Sequence, residues 1–319
     1  MSEEQPAGWL PPAAESRMAE IRRSGTWGSA LTADEFTAIR SAGFEPVGQV
    51  LGAAVYNIGY TGGYTCPGAW AGYGGFGTPY RSVTATSGMG GAGAFGPMVQ
   101  ALYEARRIAI SRMTEECAEL GGHGVVGVSL SIGGFPAGGL EFKAIGTAVR
   151  APGAPTLRAP FTSGLSGQDF AKLIMAGWVP AGLVLGISIG SRHDDWLTMS
   201  QRSWGTGNTE VAGYTDLVNQ TRHDARGQLE RDVGRLGAES VVVSSMEMRV
   251  RERECTMQEH GKDHIVEVTI IGTATTKFRA SDRKARGPSL AIMSLDPQRR
   301  QAARVRLGAS AAPDAPGSE

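Results

Sequence analysis

Two stretches of the chain carry the same alternation of apolar and polar positions. In residues 97–132, Met98, Leu102, Ala105, Ala109, Met113, Cys117 and Leu120 recur at spacings of three or four, which places them on one face of a helix. In residues 213–248, Tyr214, Val218, Thr221, Ala225, Leu229, Val233 and Leu236 rebuild that face 116 positions later. Each pattern meets a glycine, Gly121 or Gly237, suited to the left-handed conformation that ends a helix because it carries no Cβ. A β-rich run follows at once, so the chain predicts a helix-to-strand unit twice.

The sequence before each long helix is repeated too. Thr32 and Glu35 have the spacing of a capping box, and a short helix through Phe36 and Ile39 precedes a strand over 46–58. Ser166 and Asp169 give an acidic variant of that cap. Phe36/Phe170, Ala42/Ala176, Gly43/Gly177, Pro46/Pro180, Gly48/Gly182, Val50/Val184, Leu51/Leu185 and Gly52/Gly186 are identical at an offset of 134. Gly146-Thr147-Ala148 and Gly272-Thr273-Ala274 mark the closing strands, 140–149 and 265–275. Each module therefore reads as a small mixed sheet packed with one short and one long helix, an α+β fold present twice. Residues 173–190 are uncharged for about the minimum spanning length. Pro180, several glycines and the polar residues Glu45, Gln49 and Asn57 of the matching stretch mark them instead as a helix end and a buried strand.

This pattern divides the chain into a mobile lead (1–30), a first module (31–150) with an insert over 59–96, a Pro-rich linker (151–164), a second module (165–278) and a tail (279–319). The linker prolines are expected to keep it out of both sheets. The tail is basic and then disordered in composition, with one apolar island, 289–295, that reads as an edge strand or as a docking motif for a protein partner.

Composition narrows the class. With 319 residues, 41% hydrophobic content, 19% charge and a formal net charge of +0, the chain has room for two cores and no global field toward nucleic acid or membrane. Cys66, Cys117 and Cys255 are an odd number with no CxxC pair, and the N-terminus has acidic residues and prolines where an export signal needs a basic start and an apolar run. Both point to the cytoplasm.

Candidate chemistry lies where the modules differ. The insert is rich in glycine and carries Tyr60, Tyr64, Trp70, Tyr73, Phe76, Tyr80 and Phe95. It could cover an enzyme site, although no acid, base or nucleophile stands out. Its two GxGxxG matches, from Gly72 and from Gly88, lack the strand-turn-helix setting of a nucleotide site. Gly186-Ile-Ser188-Ile-Gly190 fits GxSxG but lies within a strand, where no nucleophile elbow can form. Cys255, His260 and His264 put a thiol and two imidazoles on the hairpin 252–264, a donor set suited to zinc or another transition metal. His193-Asp194-Asp195 reads as a solvated turn that could bind a cation. Arg106 and Arg222 occupy matching helix positions and are candidates for an interface.

The motif ensemble resembles the YbjQ-like family, whose label is heavy-metal-binding. The first module supplies Val47-Gly48-Gln49-Val50-Leu51-Gly52, Ala105-Arg106-Arg107-Ile108-Ala109, Leu120-Gly121-Gly122 with Val125-Val126-Gly127-Val128, and Gly146-Thr147-Ala148-Val149. The second is more divergent, and Gly127-Val128 becomes Val243-Ser244. The resemblance implies a module that assembles into a ring with strands donated between neighbours, and no established reaction. The leading expectation is a non-enzymatic homo-oligomeric assembly or binding protein. The alternatives are a metal-binding or sensing module using the hairpin and an enzyme with a site under the insert.

Overall fold

The computed structural model describes residues 10–26, 28–57, 83–86, 95–135, 139–154, 159–202, 205, 207–254 and 262–277. The chain is α+β, with six helices and two sheets among the described residues. In chain order the elements are α1 (Pro12–Ser24), α2 (Ala33–Ser41), β1 (Glu45–Tyr56), β2 (Val83–Thr86), α3 (Gly96–Glu119), β3 (Gly124–Phe135), β4 (Gly139–Arg150) and β5 (Phe161–Thr162). There follow α4 (Gly167–Met175), β6 (Trp178–His193), α5 (Trp196–Gln201), α6 (Ala212–Arg235), β7 (Ser240–Glu254) and β8 (Lys262–Lys277). Met1–Arg279 forms one compact unit and Ala280–Glu319 a second, which lies outside the described residues.

Local chemistry explains the element ends. Thr32 accepts the Glu35 amide while Glu35 reaches back to the Thr32 amide, a complete capping box at α2, and Ser166 accepts from Asp169 at α4. The long helices α3 and α6 give way to Gly121 and Gly237, with φ of 69° and 63°. Their predicted faces are the packed ones: Leu102, Ala105, Ala109, Met113 and Cys117 of α3 are buried, as are Thr221, Ala225 and Leu229 of α6. At the end of α6 the pattern overreaches, because Leu236 is exposed.

The first sheet has the order β1-β4-β3-β5 and the second β2-β6-β8-β7. Their registers agree position for position. Gly52 pairs with Ala144 where Gly186 pairs with Ile270, and Val125 pairs with Ala148 where Val241 pairs with Ala274. Each long helix crosses its sheet at a glycine. A Cβ on Gly52 would lie 1.8 Å from the Ala109 carbonyl oxygen, and one on Gly186 would lie 2.1 Å from that of Ala225. A carboxylate on each helix also covers the outer strand edge: Glu116 accepts from the Leu51 amide at 2.7 Å and Asp232 from the Leu185 amide at 3.3 Å.

The two halves exchange strands. β5, from the expected linker, adds parallel to β3 of the first sheet, and β2, from the insert, adds antiparallel to β6 of the second. Residues 161 and 162 thus leave the linker, since the prolines end at Pro160 and the amides beyond it are free to pair. Helices α2 and α4 close the same seam, with Ile39, Val126, Val149, Leu165 and Phe170 in one buried cluster. In the lead, the short helical pattern carried by Arg17 to Arg23 belongs to α1, Pro12–Ser24, which is docked where mobility was expected. Met18 there is buried, and Arg17 pairs with Glu116, whose side chain is only 1% exposed.

Gly52→Ala is expected to cost about 1–3 kcal/mol through overpacking against α3, read as a lower urea midpoint with an unchanged slope.

Candidate functional site

At one end of the second sheet, polar residues from β6, α6 and β8 converge. Tyr214 on α6 donates its hydroxyl hydrogen to Asp194 Oδ1 at 2.7 Å, and Arg202 donates to Asp194 Oδ2 at 2.7 Å. His264 Nε2 lies 2.8 Å from the Tyr214 oxygen and 3.0 Å from Asp194 Oδ1. Since the Tyr214 hydrogen is committed to Asp194, His264 Nε2 is the donor in that contact and carries the hydrogen. The neighbouring pairs are His193 Nδ1 with Asp263 Oδ1 at 2.8 Å and Arg192 with Asp195 at 2.7 Å. Asp195 also caps α5 by accepting from the Thr198 amide at 2.7 Å.

Burial governs this cluster. His193, Asp194, Asp263 and His264 are all buried, so each polar group needs a hydrogen-bond partner. Burial pushes the Tyr214 phenol well above its ordinary pKa, and the hydrogen bond and negative charge of Asp194 push it further. The His193-Asp194-Asp195 run is therefore held by side-chain hydrogen bonds within the fold and is not a solvated turn. The sequence conceals this because its partners, Tyr214, Asp263 and His264, come from distant elements that only the sheet brings together.

Of the proposed metal ligands, His264 lies in this cluster, while Cys255 and His260 lie outside the described residues. With Nε2 bonded to hydrogen, His264 offers a metal only Nδ1, which sits 3.9 Å from Glu252 Oε1. No group of three His, Cys, Asp or Glu among the described residues is arranged to hold a metal ion. Cys117 does not fit a thiolate centre either, because burial pushes its thiol up to about 12 and it donates to the Gly124 carbonyl. His123 Nδ1 accepts from the Ala151 amide at 3.1 Å. Ser188 of the GxSxG match lies in β6 and donates to Asp224.

The two candidate arginines differ. Arg106 is 5% exposed, lies over the Phe142 ring and is held below its ordinary pKa by burial, against the opposing fields of Glu267, Tyr103 and Glu247. Arg222, its match on α6, is exposed. Of the insert 59–96 only 83–86 and 95–96 are described, and the apolar island 289–295 lies outside the described residues.

A second feature is a surface. β3 and β7 occupy equivalent places in their sheets, yet Val126 is fully buried while Val242 is 38% exposed. Val243, Met246, Met248 and Val250 continue the exposed run, with Met246 at 50% and Val250 at 55%. On the face opposite Met246, Met248 and Val250, Arg251 pairs with Glu267 and Arg249 with Glu247. β7 is a sheet edge among the described residues, and an apolar edge is a template for another strand. No helix of the described chain is long and apolar enough to cross a membrane.

Residues 82–152, covering β2, α3, β3 and β4, match the family described as "Putative heavy-metal-binding". Over 240 residues the chain is 32% identical to the encapsulin nanocompartment protein Rv1762c of Mycobacterium tuberculosis (strain ATCC 25618 / H37Rv). The alignment takes in 73% of this chain and 81% of that protein.

Asp194→Ala removes the acceptor shared by Arg202, Tyr214 and His264 and is expected to cost about 3–5 kcal/mol in urea unfolding, because it leaves buried polar groups uncompensated. The Cys117 thiol stays protonated until the pH approaches about 12. In chains carrying Cys66→Ser and Cys255→Ser, a maleimide at pH 7 is expected to leave the folded protein unlabelled and to label it fully in denaturant.

Proposed function

Because the chain belongs to the family of the encapsulin nanocompartment protein Rv1762c, we propose that it is a self-assembling structural protein whose copies join through strand edges into a ring-like oligomer. Its halves, 31–150 and 165–278, act in this reading as two copies of one YbjQ-like module, and the assembly works in the cytoplasm. The observation that carries the proposal is the uncovered apolar run of β7: Val242 is exposed where its match Val126 is buried with Leu165 and Phe170, and Met246, Met248 and Val250 stay exposed beyond it. A strand built to be covered and left in water marks a contact between molecules.

The role is structural and not catalytic. The positions that agree between the halves are caps, glycines at helix crossings and apolar helix faces, all of which serve packing. At the centre of the polar cluster both oxygens of Asp194 are engaged, by Tyr214 and by Arg202. The relative is likewise named for a compartment and not for a reaction.

Sedimentation velocity is expected to show the full chain as an oligomer. Met246→Lys with Val250→Lys should weaken self-association by about tenfold or more, since each lysine would be desolvated in the contact. The circular dichroism spectrum should not change, because both side chains are exposed in the single chain. A wild-type chain that stays monomeric at high concentration overturns the proposal.

A further inference from the structure

We propose that Arg106 anchors a binding site for a small apolar carboxylate, placed where the two halves of the chain face each other.

The place follows from sheet alternation. Ile187 and Ile189 of β6 share a buried cluster with Ala105, Ala109 and Phe142, so the side of β6 that carries them faces α3. Ile189 pairs with Glu267 of β8 and Glu267 with Arg249 of β7, which puts these side chains on that same side of the second sheet. It is the side opposite Met246, Met248 and Val250. Tyr103, one turn before Arg106, fixes the helix against it: its hydroxyl accepts from the Ile187 amide at 2.9 Å and donates to the Leu185 carbonyl at 3.2 Å. The guanidinium carbon of Arg106 lies 5.8 Å from the centre of the Phe142 ring of the first sheet and in the field of Glu267 from the second. Ligands favour such junctions between packed units.

At this junction the arginine is buried and unsatisfied. Arg106 is 5% exposed, its Nη1 has no hydrogen-bond partner, and among the described residues no carboxylate forms an ion pair with it. The two acids whose fields reach it are engaged elsewhere, Glu267 with Arg251 at 2.8 Å and Glu247 with Arg249 at 3.7 Å. A guanidinium withdrawn from water without an acceptor is costly, and its planar fork matches the two oxygens of one carboxylate. Arg222, the match on α6, is exposed, so water already satisfies it.

The surroundings select the ligand. Phe142 and Ile189 are buried in the α3 cluster, and Ile132 and Ile265 pack against it, so the neighbours suit an apolar body. At the guanidinium the fields of Glu267 and Glu247 outweigh that of Arg249, which opposes a dianion such as phosphate more than a monoanion. A carboxylate on a small apolar group meets both conditions. Glu247 and Arg249 are 64% and 65% exposed, so the ligand would enter from the side of β7.

The test uses benzoate and isobutyrate as probes and phosphate as the control, on the full chain at constant ionic strength. Calorimetry should show saturable binding of at least one carboxylate and weaker binding of phosphate. Arg106→Met should weaken carboxylate binding by about tenfold or more, through loss of a charge-assisted contact. Arg222→Met should leave it unchanged. Without ligand, Arg106→Met should raise the melting temperature, because an apolar side chain replaces an unpaired buried charge. Glu267→Gln keeps the arginine and should tighten binding about twofold or more by removing an opposing charge, so the site remains testable where Arg106→Met does not fold. Failure of both carboxylates to bind, binding that survives Arg106→Met, or binding that Glu267→Gln does not tighten overturns the proposal. A melting temperature that Arg106→Met lowers also overturns it, since the guanidinium then has a partner within the fold. Phosphate bound as tightly as either probe overturns the choice of a carboxylate.

Discussion

Backbone groups at a strand edge need partners once the edge is buried, and the described chain is arranged around where those partners come from. The start of β3, Gly124 to Val128, lies inside the molecule, where residues 161–165 supply its outer edge with four backbone hydrogen bonds. That short strand orients α4 on α2 and lets Leu165 and Phe170 fill the space over Val126 and Val149. β2 makes the reciprocal exchange on β6. The two sheets of Met1–Arg279 are joined by these loans, which is why the chain through Arg279 forms one compact unit.

The helix crossings add rigidity to this frame. Gly52 and Gly186 let α3 and α6 sit nearly on the strand backbone, closer than any side chain permits. Glu116 and Asp232 use that proximity to occupy a strand amide that no neighbouring strand reaches. Glu116 also holds Arg17 and with it α1, so a segment with the composition of a mobile lead is docked through one buried carboxylate. Backbone exposed by the geometry of one element is satisfied by a side chain of another throughout this unit.

The second half departs from the first in two ways that bear on function. Around Asp194 it carries a buried ionic cluster, which fastens the end of β6 to α6 and β8. Along β7 it leaves apolar side chains in water where β3 has none so exposed before Phe135. The first difference fastens elements together inside the fold, with both oxygens of Asp194 engaged. The second is open, and it agrees with membership in a family that includes a nanocompartment protein.

Local signals made much of the fold legible from the residues alone. Helical periodicity marked α3 and α6, capping pairs marked α2 and α4, and repeated glycines marked where helix meets sheet, since each depends on neighbours within a few positions. The same locality hid the rest. The pairing of Phe161 with β3 and of Val83 with β6 depends on residues some 40 or 100 positions away, and nothing nearby announces it. His264 looked like a ligand beside Cys255 and His260, and only the sheet register set it against Asp194 and Tyr214. Exposure was the least legible property. Val126 and Val242 hold matching places in the repeated unit, each the second of a Val-Val pair, and tertiary structure decided which of them is covered, because burial depends on what arrives from elsewhere in the chain.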